Sequence, residues 1–148
     1  MPPFDLDQTR AVVRLPELSA GGDHQNTLSA GAWVLVSGWG VEKEDSDRPA
    51  VSLRKAKLRV VNHIVCRLLY ATVSVISEHM MCAGSASGRD ACSGDSGGPL
   101  VHTDPMNVTT QYGVVSFGRG CGHMYHPGVF TNLADKSIRL YVKTVSGI

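Results

Sequence analysis

Asp90-Ala91-Cys92-Ser93-Gly94-Asp95-Ser96-Gly97-Gly98-Pro99-Leu100 is the stretch on which the reading of this chain turns. It sets the Ser96 hydroxyl among Gly94, Gly97, Gly98 and Pro99, which have little packing reason to cluster. Glycines let the backbone turn tightly and leave N–H groups bare beside the hydroxyl. Donors of that kind suit an oxyanion formed when Ser96 attacks a carbonyl. Asp90, Asp95 and Cys92 flank the hydroxyl. A Gly-Ser surface loop is the plainer alternative, but the length and order of the stretch favour a built site.

Residues 94–98 also match the G-x-S-x-G elbow, which needs a strand before the serine and a helix after it. Here Pro99 leads into Leu100-Val101, which reads as a strand, and no helical period follows nearby. That argues against an α/β-hydrolase.

The surrounding composition is that of one folded domain. The chain has 148 residues, 43% hydrophobic and 18% charged, enough apolar material to bury a core. Its formal net charge of +1 offers no bulk electrostatic case for nucleic acid or an anionic membrane. Gly 16 and Pro 7, with short apolar runs between them, favour an all-β chain with many turns. The cysteines are Cys66, Cys82, Cys92 and Cys121, an even number whose pairing the residues alone leave open. No C-x-x-C pair is present, so zinc and redox readings are weak. Two disulfides imply an oxidising compartment, and the sequon Asn107-Val108-Thr109 agrees with secretion. Met1–Asp5 lacks the apolar run of a signal peptide or membrane span, so sequence upstream of this chain is expected.

Along the chain, residues 1–31 read as a connector rich in Pro, Gly and polar residues. A first strand is expected over Ala32–Ser37, followed by a solvated charge run at Glu42–Pro49. Lys55, Lys57 and Arg59 alternate with Ala56, Leu58 and Val60, the period of a half-buried strand. Asn62 suits the N-cap of a short helix with Ile64, Val65, Leu68 and Leu69 on about one face. Short strands are expected at Met80–Ala83, Pro99–Val101, Gln111–Ser116 and Gly128–Asn132. Asp135–Val145 carries Ile138, Tyr141, Val142 and Val145 at helical spacing, which predicts an amphipathic helix packed on the strands.

With Val36-Ser37-Gly38-Trp39-Gly40, Met81-Cys82-Ala83-Gly84, Gly113–Gly118 and Pro127-Gly128-Val129-Phe130-Thr131, the Ser96 stretch resembles the trypsin-like (chymotrypsin-family) serine proteases. The resemblance covers nearly the whole chain, but only the C-terminal half of such a protease. It implies an all-β fold: a six-stranded antiparallel barrel over residues 32–148 with a C-terminal helix, preceded by the inter-barrel connector at 1–31. The first barrel is largely missing. The implied activity is endopeptidase cleavage after Arg or Lys through an acyl-enzyme on Ser96, with no cofactor or metal. Implied partners are protein substrates, an upstream first barrel and protein inhibitors, in a secreted setting; no nucleic acid and no membrane.

Residue by residue, the resemblance makes Ser96 the nucleophile and the Gly94 and Ser96 N–H groups the oxyanion hole. Asp95 would pair with the amino terminus released on zymogen cleavage, and without it is expected to be unpaired with the Gly94 N–H out of position. Asp90 would be the base of the specificity pocket, walled by Ser116, Phe117, Gly118 and Gly128, its carboxylate attracting a cationic side chain. The implied disulfides are Cys66–Cys82 and Cys92–Cys121.

A serine needs a base, usually a histidine held by a carboxylate. The family's Ala-His-Cys and Asp-Ile-Ala-Leu-like motifs are both absent here. His24, His63, His79, His102, His123 and His126 lack the family's surroundings and read as loop or surface histidines; His123 and His126 lack a third metal ligand. Phe117 stands where Trp is usual, and Val34 and His102 occupy both positions of a common disulfide. Lys55 replaces another common cysteine, and Pro127 stands where sodium-binding members carry Tyr. The competing function is a non-catalytic protease homologue or truncated product that binds partners.

Overall fold

A computed structural model describes residues 14–17 and 27–147. Most of the connector expected at 1–31, and His24 with it, lies outside the described residues. The ordered elements are β1 (Trp33–Gly38), β2 (Arg54–Val61), α1 (His63–Tyr70), β3 (Met80–Gly84), β4 (Pro99–Thr103), β5 (Thr109–Phe117), β6 (Gly128–Asn132) and α2 (Lys136–Ser146). The first strand thus begins one residue later than expected and runs through Gly38.

The strands close into an antiparallel barrel in the order β1-β2-β3-β6-β5-β4, with β1 returning to pair β4. Closure removes every free edge. The alternation read along β2 is the reason it can sit in the wall: Leu58 and Val60 turn inward while Lys55, Lys57 and Arg59 stay exposed. Val34, Val36, Leu58, Val60, Ala83, Leu100, Val115 and Phe130 fill the interior. Truncating a buried residue as large as Phe130 to Ala typically costs about 3–5 kcal/mol.

Asn62 caps α1 as its sequence suggests, its Oδ1 accepting from Ile64 N at 2.9 Å and Val65 N at 3.3 Å. The face that packs differs from the one expected. Cys66 and Tyr70 are buried, whereas Ile64, Val65 and Leu68 face outward. The Cys66–Cys82 disulfide ties α1 to β3 and sets that rotation. It joins Tyr70, Ile76 and Val129 in a second apolar cluster.

Helix α2 forms as expected, with Asp135 as its N-cap accepting from Ser137 N and Ile138 N. Its packing follows the expectation only in part: Ile138 and Val142 are half-buried, none of its residues is fully buried, and Tyr141 and Val145 are exposed with Leu140. Arg139 Nε donates from the helix to the Pro16 carbonyl at 2.9 Å.

Candidate active site

The loop between β3 and β4 carries the candidate nucleophile, and two glycines shape it. Gly94 and Gly97 have φ of 94° and 84°, a region that L side chains rarely adopt. Gly97 N donates to Val115 O and Val115 N to Gly98 O, each at 2.9 Å, which lashes the loop to β5. Ser96 is left exposed at the turn, and its hydroxyl has no hydrogen-bond partner among the described residues. The Gly94 and Ser96 N–H groups likewise donate to no described residue.

Asp95 pairs with no cation among the described residues, and backbone amides hold its carboxylate. Its Oδ1 accepts from Gly40 N at 2.7 Å and its Oδ2 from Cys92 N at 3.0 Å. The approach works because Gly38 and Gly40 have no Cβ: one on Gly40 would meet Asp95 Cγ at 2.5 Å. Gly98 is held equally close, since a Cβ there would lie 2.8 Å from the Asp95 carbonyl oxygen. The spacing of Gly38, Gly40 and Gly98 therefore has a steric cause.

Asp90 accepts from Ala91 N at 2.8 Å and from Gly128 N at 3.1 Å. Burial pushes its carboxyl up to about 6, against the pull of those two N–H groups. Gly128 must be glycine for this contact, because a Cβ would meet Asp90 Oδ1 at 2.7 Å.

Ser96 and Asp90 open on one cavity of about 310 Å³, which Ser116, Phe117, Gly118 and Gly128 also line. Every wall residue read from the sequence is brought together there. Ser116 reaches the cavity through a bulge: Val115 pairs with Phe130 and Phe117 with Val129, leaving Ser116 as the extra residue. The Cys92–Cys121 disulfide closes the rim.

Three contributions escaped the sequence reading. Tyr70 is fully buried; its hydroxyl donates to Pro127 O at 2.8 Å and accepts from Arg119 N at 3.4 Å. Its ring meets Phe117 edge-on at 6.1 Å, so it braces the cavity wall from behind. Glu44, taken as part of a solvated charge run, lines the cavity; its Oε2 accepts from Cys121 N at 3.4 Å and pairs with His123 Nε2 at 3.4 Å. The Ser116 bulge is the third, and neither alternation nor composition signals it.

The described histidines lie elsewhere. His123 holds Glu44, His126 packs edge-on against Tyr70, and His79 faces Asp135 and Ser137 at the start of α2. His102 Nδ1 bonds the Trp33 carbonyl at 2.8 Å beside the buried Val34, so the two positions without cysteine are packed and paired. No described histidine lines the Ser96 cavity. Asn107 is exposed in the β4–β5 turn with φ of 63°, a conformation asparagine tolerates better than most residues.

The family model for trypsin matches residues 2–138. This chain belongs to the trypsin family. It is 39% identical over 139 residues to Trypsin 5G1 of Aedes aegypti, covering 93% of this chain and 47% of that protein. It is 33% identical over 139 residues to the vitellin-degrading protease of Bombyx mori, covering 87% of this chain and 50% of the relative. With human transmembrane protease serine 11B it shares 36% identity over 122 residues, 82% of this chain and 29% of that protein. The trypsin-family chain thus spans about half the length, or less, of these relatives. Family membership makes it part of a group of serine proteases acting on proteins. The described residues form a single six-stranded barrel with a C-terminal helix and two disulfides, consistent with half of such a domain. Among the described residues no helix is long and apolar enough to cross a membrane.

Proposed function

We propose that this chain supplies the nucleophile and the specificity pocket of a secreted serine endopeptidase that cleaves after Arg or Lys. The observation that carries it is that Ser96 and Asp90 open on the same cavity. A cationic side chain entering toward Asp90 would bring the carbonyl of its own residue to Ser96. The Ser96 hydroxyl would attack that carbonyl, the Gly94 and Ser96 N–H groups would hold the oxyanion, and expulsion of the amine would leave an acyl-enzyme for water to hydrolyse. The proton acceptor would come from a first barrel bearing the histidine and aspartate. A second cavity of about 280 Å³, lined by Gly38, Gly40, Lys55 and Asp95, supports entry of an amino-terminal ammonium toward Asp95.

The test is intact mass after treatment with a fluorophosphonate, which captures an activated serine. The folded chain alone is expected to stay unlabelled. With a trypsin-family first barrel supplied in cis or in trans, an adduct at Ser96 and release of amines from Arg- and Lys-ended amides are expected. A folded, recombined protein that labels elsewhere or not at all would overturn the reading. That no described histidine lines the Ser96 cavity favours one alternative, a partner-binding homologue without catalysis. That alternative predicts no adduct even with the first barrel present.

A further inference from the structure

We propose that the outer face of β2, together with Trp33 of β1, is a binding surface for a sulfated polysaccharide. Lys55, Lys57 and Arg59 occupy alternate positions of β2 and are all exposed. Alternate positions lie about 6.6 Å apart, so the row spans about 13 Å on one face. The flanking strands, WVLVSG in β1 and MMCAG in β3, carry no acid. Ion pairs among the described residues join Arg54 to Glu42, His79 to Asp135 and His123 to Glu44, leaving these three cations without a carboxylate.

Two of the cations are nevertheless held in place. Lys57 Nζ lies 4.4 Å and Arg59 Cζ 3.9 Å from the centroid of the Trp33 ring. The ring quadrupole orients a cation without neutralising it. Arg59 Nη1 also donates to the Gly31 carbonyl at 3.3 Å. Two ordered cations with a third on the same strand face, none in an ion pair among the described residues, make a local anion site rather than a bulk attraction on a chain of net charge +1.

The surroundings choose among polyanions. β2 is hydrogen-bonded to β1 on one side and β3 on the other, so an acidic peptide cannot add as a strand and gains no main-chain bonds. Trp33 is engaged by two cations, so it offers no open platform on which a base would stack. What remains is recognition of closely repeated anionic groups by a guanidinium fork and point charges. Sulfate groups along a sugar polymer provide that pattern.

The test is titration of the folded chain with a size-defined heparin oligosaccharide over a salt series, followed by tryptophan emission. Saturable binding is expected at about 50 mM salt, weakening steeply as salt rises. The double variant Lys57→Gln/Arg59→Gln should lower affinity at least tenfold and reduce the salt slope by about two. Arg48→Gln, on a separate loop, should leave both unchanged. Thermal melts of each variant separate loss of binding from loss of fold. Absence of saturable binding, or an unchanged double variant that is folded, would overturn the proposal. So would equally tight binding of a carboxylate peptide or DNA duplex of matched charge.

Discussion

Gly40 and Asp95 share a volume that admits only one side chain. The Gly40 amide donates to Asp95 Oδ1 at 2.7 Å, and a Cβ on Gly40 would stand 2.5 Å from Asp95 Oδ2. Gly40→Ala is therefore expected to expel the carboxylate or strain the loop, at roughly 1–3 kcal/mol. Trp39→Ala, between the two glycines but 58% exposed, should cost far less. Paired denaturant melts check this, and equal costs for the two variants would refute the steric account.

The raised Asp90 carboxyl makes stability depend on pH in a stated direction. Its folded value is about 6 against an ordinary 3.8, so between those values the folded chain holds the proton that the unfolded chain has lost. Stability from this group is fully present below about pH 4 and is lost as pH rises through about 6, by at most about 3 kcal/mol. Asp90→Asn should flatten that limb of the stability profile. Denaturant midpoints measured from pH 4 to 7 on both proteins check it, and an identical slope in the variant would count against the assignment.

Tyr70 tests whether the cavity wall depends on support from α1. Tyr70→Phe keeps the ring against Phe117 but leaves the Pro127 carbonyl without its donor. The expected loss is about 1–3 kcal/mol. Faster amide exchange at Arg119, which bonds the Tyr70 hydroxyl, should accompany it. A melt unchanged from wild type would show that the hydroxyl bonds contribute nothing.

The exposed face of α2 makes a contrasting prediction. Leu140→Lys/Val145→Lys changes residues that are 47% and 68% exposed on a helix with no buried residue. Stability should stay within about 0.5 kcal/mol. Self-association at high concentration should fall, because two apolar side chains leave the surface. Sedimentation and melting together check this; a large destabilisation would mean the helix packs more tightly than its exposure shows.

Much of this was legible in the sequence, for reasons specific to each element. The Lys55–Val60 alternation announces a strand because a pleated strand in a closed wall has one wet and one dry face. Asn62 marks a helix start because its short amide oxygen reaches the first free N–H groups, and α2 was legible from its apolar spacing rather than from its Asp135 cap. The Ser96 loop is legible because glycines crowd the serine, and two of them, Gly94 and Gly97, take φ of 94° and 84°, which L side chains rarely adopt. Tyr70 and Glu44 were not legible, since each acts on the cavity across a large sequence separation, through Pro127 and Cys121. The same holds for the outward turn of Ile64, Val65 and Leu68. Helical spacing fixes that these residues share a side, but the Cys66–Cys82 bond decides which side is buried.

The central claim is that Ser96 and Asp90 form one pocket that accepts a cationic side chain, and binding of benzamidinium tests it most directly. Calorimetric titration at pH 7.5 should show saturable one-to-one binding that weakens at least tenfold in folded Asp90→Asn. Binding to the wild-type chain should also weaken as pH falls through about 6, as the Asp90 carboxylate takes its proton. Binding of equal strength in the variant, or binding indifferent to pH across that range, would contradict the account.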